Sequence, residues 1–105
     1  MRSSRQRQRQ DGDERKRQAA VAARQQARLV RETIARIAEA LGETEPRQRD
    51  QIARVVEVLG VEDALALLNE TQGIEASGGM LTADGSRRRS PGGVFRNLLK
   101  NRLAA

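Results

Sequence analysis

The sequence contains no cysteine, no histidine, no tryptophan and no tyrosine, and its one phenylalanine is Phe95. Without cysteine there is no disulfide framework and no thiolate metal site. Without histidine the commonest general base and the commonest zinc ligand are both missing. Carboxylates and lysine are a poor inventory for catalysis, so the expectation is a protein that is not an enzyme and holds no cofactor or metal. A single aromatic side chain cannot furnish the ring platform on which sheet-type RNA modules and oligonucleotide-binding barrels stack bases. No apolar run approaches ~18 residues, the length that spans a bilayer. The N-terminus is rich in arginine and glutamine and has no apolar stretch, so a signal peptide is not expected. The protein reads as soluble and cytoplasmic (nuclear if eukaryotic), with neither a membrane nor a small-molecule substrate among its partners.

What is present in quantity is charge, and its distribution says more than its sum. The 105 residues carry a net charge of +6. Residues 1–31 hold ten basic and three acidic side chains, residues 32–81 four and ten, and residues 82–105 six and one. The ends are basic and the middle is acidic. A polyanion is drawn to the ends and repelled by the middle. Nucleic acid is the first candidate partner.

Residues 1–12 read as a disordered basic arm. Arg5-Gln6-Arg7-Gln8-Arg9-Gln10 offers nothing to bury. A helical domain follows over residues 13–105. Asp11 or Asp13 can cap a first helix that runs to Leu41, with Ala23, Ala27, Val30, Ile34, Ile37 and Leu41 as a narrow apolar stripe. Gly42 stops it. A second helix starts near Pro46, with Ile52, Val55, Val56 and Leu59 on one face, and ends at Gly60. A third begins at once, with Glu62 and Asp63 in its first turn, and buries Ala64, Leu65, Leu67 and Leu68. It fades between Gln72 and Ser77. The fourth has Ser90 as N-cap and Pro91 at the first position, with Val94, Phe95, Leu98, Leu99 and Leu103 as its apolar face. No sustained strand pattern occurs. The fold expected is a small all-α bundle of about four helices, with a Gly/Arg-rich loop before the last one. A short hairpin closed by Asp84-Gly85 fits inside that loop.

The most informative stretch is Gly78–Phe95, GGMLTADGSRRRSPGGVF. Arg87, Arg88 and Arg89 stand between two glycine pairs and immediately before a helix start. Guanidinium groups present planar forks of donors at any working pH. The start of a helix adds free N–H groups and partial positive charge. With Gly92 and Gly93 leaving that start open, one anion can meet arginine and backbone donors together. The candidate phosphate contacts are Arg87, Arg88, Arg89, Ser90, Gly92 and Gly93. No GxxxxGK[ST] motif accompanies them, so nucleotide hydrolysis has no support. Phe95 keeps register with Leu98 and Leu99, which favours core packing over base stacking. Arg17, Arg24, Arg28 and Arg31 share one side of the first helix and form a second basic element. The carboxylates Glu39, Glu43, Glu45, Glu57, Glu62, Asp63, Glu70 and Glu75 read as a solvated acidic face.

The Gly78–Phe95 stretch, followed by Leu98-Leu99-Lys100, resembles the RNA-binding domain of the phosphorylated adapter RNA export protein. The segments IARIAEALGE, RVVEVLG and EDALALLNET resemble that domain's helices, so the likeness covers about residues 29–102. It implies an all-helical module that binds single-stranded RNA with little sequence preference. The motif residues carried over are Gly78, Gly79, Asp84, Gly85, Arg87, Arg88, Arg89, Pro91, Gly92, Gly93 and Phe95. Ser90 stands where the family pattern favours threonine, and it keeps the cap. The RNA-contact set expected is Arg87, Arg88, Arg89, Ser90, Gly92, Gly93, Arg24, Arg28, Arg31 and Lys100. Over these 105 residues no separate cap-complex, exportin or phosphorylation region is expected, so RNA binding is expected to carry over and the export role is not. Two other readings compete: a protein-interaction module that uses the acidic helices, and a DNA-compacting protein that uses the basic arm. The three/four spacing of the first helix also suits pairing with a second copy.

Overall fold

Four helices make up the computed structural model, which describes residues 3–104: α1 (Ser4–Leu41), α2 (Pro46–Leu59), α3 (Val61–Ala76) and α4 (Pro91–Ala104). The architecture is the expected small all-α bundle, and no strand occurs among the described residues. The chain divides into two compact units, Met1–Arg31 and Glu32–Ala105. The boundary between the two units falls within α1.

In the first unit, helix extends through most of the expected arm. The cause is a local signal at Ser3. Its hydroxyl accepts the Gln6 N–H at 3.3 Å, and the Gln6 side-chain oxygen accepts the Ser3 N–H at 3.0 Å. This reciprocal pair is a capping box. Arginine and glutamine are good helix formers, so nothing between Ser4 and Asp11 interrupts the helix. The arm buries nothing, as expected, but the exposure runs on past it into the apolar stripe. Residues 3–29 are all exposed except half-buried Gly12, and this includes Ala23 and Ala27 of the supposed stripe.

The core belongs to the second unit. Ile37, Ala38 and Leu41 from α1 join Ile52 and Val56 from α2. Ala64, Leu67 and Leu68 come from α3, and Val94 and Phe95 from α4. The stripe on α1 becomes buried only at its C-terminal end. On α2 and α3 the expected faces are inward, with Val55, Leu59 and Leu65 half-buried. α3 is the central element, packed against both α2 and α4. Arg102 helps hold α4 to it, donating to the Asp63 carbonyl at 3.3 Å and to the Glu70 carboxylate at 3.4 Å. Phe95 is 2% exposed, so it packs in the core and is closed to base stacking. Leu103 is 60% exposed and lies off the face assigned to it. Among the described residues no helix is long and apolar enough to cross a membrane.

Two helices end in the same way, and both endings matter for the loop. At the end of α1, Gly42 N–H donates to the Glu39 carbonyl at 3.1 Å and Glu43 N–H to the Ala38 carbonyl at 2.9 Å. At the end of α3, Gly78 N–H donates to the Glu75 carbonyl at 3.3 Å and Gly79 N–H to the Ile74 carbonyl at 2.8 Å. Each pattern is a Schellman turn, which satisfies the last carbonyls and reverses the chain. The residues that emerge from these turns are Glu43 and Gly79.

Candidate functional site

The loop from Gly78 to Ser90 is an ordered hairpin. Leu81 and Arg88 form a single antiparallel bridge. Thr82 N–H donates to the Arg87 carbonyl at 2.8 Å, and Arg89 N–H to the Met80 carbonyl at 2.7 Å. The tip is built by Asp84. Its Oδ1 accepts from Thr82 Oγ1 at 2.7 Å, Ser86 N–H at 3.0 Å and Ser86 Oγ at 2.8 Å. These donors stabilise the carboxylate, the Thr82 hydroxyl most, and lower the Asp84 pKa from 3.8 to about 2. The expected Asp84-Gly85 closure is present, with Gly85 N–H bonded to the Thr82 carbonyl at 2.8 Å.

The three arginines leave this hairpin in different states. Arg87 is exposed and has no hydrogen bond or ion pair from its side chain among the described residues. Arg88 is turned back onto α3. Its Nη2 donates to Glu75 Oε2 at 2.8 Å and to the Glu75 carbonyl at 3.3 Å. Its guanidinium lies across Gly79, where any Cβ would overlap Arg88 Nε. Arg89 is half-buried and donates through Nε to the Leu81 carbonyl at 3.1 Å. The triplet is therefore one unpartnered cation followed by two that brace the hairpin.

The helix start differs from the open cradle expected of Ser-Pro-Gly-Gly. Ser90 does cap α4: its Oγ accepts the Gly93 N–H at 3.1 Å, and its carbonyl accepts the Val94 N–H at 3.0 Å. Pro91 has no N–H to give. Most first-turn donors are thus already engaged. Gly92 is buried, and the place of its missing side chain is filled by the carboxylate of Glu43. The dipole argument that favours an anion at a helix start holds, but the protein supplies that anion itself. Glu43 Oε1 also accepts from Arg96 Nη2 at 2.7 Å, and the same nitrogen reaches Gln51 Oε1 at 3.3 Å.

Six of the eight carboxylates read as a solvated face are exposed as expected, and the exceptions are buried Glu43 and half-buried Glu75. Glu43 is 7% exposed, and Glu43, Glu70 and Glu75 are each paired with an arginine. Arg96 and Arg102, which carry the pairs of Glu43 and Glu70, were not among the candidate residues. A signal did exist: two glycines in a helix's first turn cost about 1 kcal/mol each against alanine, so a close neighbour is a reason to keep one. Lys100 is exposed on α4. Arg24, Arg28 and Arg31 lie in the first unit, all exposed. Arg17 is paired with Glu14 at 3.2 Å.

Residues 33–105 match the family described as "Phosphorylated adapter RNA export protein, RNA-binding domain". The sequence is 58% identical over 57 residues to the phosphorylated adapter RNA export protein of Mus musculus. It is 56% identical over the same length to that of Homo sapiens. Each match covers 54% of this chain and 14% of the relative, so only a small part of those proteins is represented. A solved structure described as a novel RNA-binding domain in Cryptosporidium parvum superposes with a TM-score of 0.59 at 39% identity. It covers 69% of this chain and 77% of that one.

Proposed function

The chain belongs to the family of the RNA-binding domain of the phosphorylated adapter RNA export protein, and from that premise we propose that its Glu32–Ala105 unit binds single-stranded RNA through the backbone phosphates, with little sequence preference. The observation that carries this reading is the Gly78–Ser90 hairpin, which is ordered by its own hydrogen bonds and presents the Arg87 side chain to solvent with no partner among the described residues. An exposed guanidinium on a fixed support suits a phosphate, because its fork is already oriented. The net charge of residues 82–105 is positive by five, and Lys100 extends it along α4. Phe95 is in the core, so recognition relies on charge and backbone rather than on a ring stacked against a base. That favours weak sequence preference.

Arg24, Arg28 and Arg31 form a separate basic surface in the first unit and add phosphate contacts of the same kind. The relatives' export role is not proposed for this chain.

The test is a titration of homopolymeric single-stranded RNA at several salt concentrations. Changing Arg87, Arg88 and Arg89 together to alanine should abolish most of the binding at moderate salt. The log–log salt slope should drop by ~0.7 for each phosphate no longer neutralised. Unchanged affinity in the triple variant would refute the site. Equal competition by duplex DNA, together with loss of binding on removing residues 1–17, would favour the DNA-compacting reading instead.

A further inference from the structure

The arginine triplet sits inside an arrangement that sequence spacing does not reveal. Arg88 meets three separate features of the end of α3 and the hairpin that follows. Its Nη2 bonds both the carboxylate and the carbonyl of Glu75. Its Nε occupies the space that Gly79 leaves by having no side chain. Its backbone is paired with Leu81 in the hairpin bridge. Glu75 is equally committed. Its side chain is 23% exposed, Oε2 holds Arg88, and Oε1 is buried with no hydrogen-bond partner among the described residues. A half-desolvated carboxylate is costly unless a cation stays beside it.

We infer that Arg88 is a positioning residue, held by Glu75 across Gly79, and that this clamp fixes the hairpin so that Arg87 meets the phosphate. The inference rests on the RNA-binding reading given above and divides the labour within the triplet. Arg87 makes the contact. Arg88 contributes geometry, with its charge already balanced by Glu75. Glu75 therefore promotes the binding of a polyanion although it is itself an anion. Simple electrostatics gives the opposite sign, since removing a carboxylate beside a phosphate site should strengthen binding.

The experiment uses the full chain and oligouridylate as probe, with Glu75→Gln, Arg88→Gln and Arg87→Gln each titrated at several salt concentrations. Far-ultraviolet circular dichroism and thermal melting accompany each variant. Glu75→Gln should weaken binding about 5-fold, the order expected from removing one partly exposed charged pair. Its salt slope should match that of the unmodified protein. Arg88→Gln should behave in the same way. Arg87→Gln should weaken binding and also lower the slope by ~0.7, the signature of a phosphate left unneutralised. Unchanged or tighter binding by Glu75→Gln overturns the inference, as does a slope lowered by ~0.7 in Arg88→Gln. If Glu75→Gln fails to fold, the slope of Arg88→Gln decides. An Arg87→Gln variant that binds normally with the same slope defeats the RNA-contact reading itself, an outcome distinct from failure of the clamp.

Discussion

Two arginine–glutamate pairs anchor the two ends of the arginine loop, and they differ in depth. Glu75–Arg88 closes the near end, at 2.8 Å, with side chains 23% and 53% exposed. Glu43–Arg96 closes the far end, at 2.7 Å, with side chains 9% and 45% exposed. Both depend on a Schellman turn, which delivers Gly79 in one case and Glu43 in the other. Both use the room beside a glycine, Gly79 for a guanidinium and Gly92 for a carboxylate. The near pair sits at the surface, next in the chain to Arg87, whose side chain has no partner among the described residues. In the far pair Arg96 is exposed but the Glu43 carboxylate is buried, lining a small cavity together with Ile52, Val55 and Phe95. Burial separates the roles: a pair in water contributes about 0–1 kcal/mol and can shape a surface, whereas a carboxylate sealed in the interior becomes a structural requirement once its partner is in place.

The largest effect should come from the floor of the far pair. Phe95→Ala should cost about 3–5 kcal/mol of stability, measured by urea denaturation. Refolded at low temperature, the variant should still bind RNA, because Phe95 lies inside the core rather than on the binding surface. Next comes a pair of glycine substitutions that sets the two ends against each other. In an open helix Gly→Ala stabilises by roughly 0.5–1 kcal/mol. Gly92→Ala should instead cost about 2 kcal/mol, because the new methyl evicts Glu43 from Arg96. Gly79→Ala should cost only about 1 kcal/mol, from its positive φ of 86° and the displaced Arg88, yet it should weaken RNA binding more than Gly92→Ala does. Equal losses of affinity in the two variants would erase the distinction between the two ends.

The smallest effect concerns the hairpin tip. The folded-state pKa of Asp84 is lowered to about 2, against 3.8 for a free side chain. The turn should therefore keep its full contribution above about pH 4 and lose it as the pH falls toward 2. A carboxyl-detected NMR titration should place the Asp84 midpoint near 2. The Ser86 amide should lose its hydrogen-exchange protection in the same interval, with little change in the helices. A midpoint in the ordinary carboxylate range would show that the Asp84 turn does not form.

The helix boundaries were legible because their signals are local. Pro46, Gly60, Pro91 and the Ser90 cap act on their own backbone, and the structure has α2, α3 and α4 starting or stopping at them. The Asp84-Gly85 hairpin was legible for the same reason. The start of α1 was missed although its signal was also local, since Ser3 and Gln6 form the capping box inside a stretch that looked too polar to order. Composition described the exposure of that segment well and its conformation badly. Only Glu43 and Glu75 among the carboxylates were misread, because nothing near them in the chain marks them out.

By itself the sequence determined the all-helical architecture, the inward faces of α2 and α3, the core position of Phe95 and the basic character of the last segment. Each follows from periodicity, turn chemistry or charge, which act over a few residues or add up over many. Only the tertiary structure decided which arginines of the triplet are partnered. Arg88 finds its partner 13 residues away and Arg96 finds Glu43 53 residues away. Those pairings depend on where the Schellman turns aim the chain and on the room two glycines leave. A triplet that reads as three equal cations thereby becomes one presented to solvent and two that hold it in place.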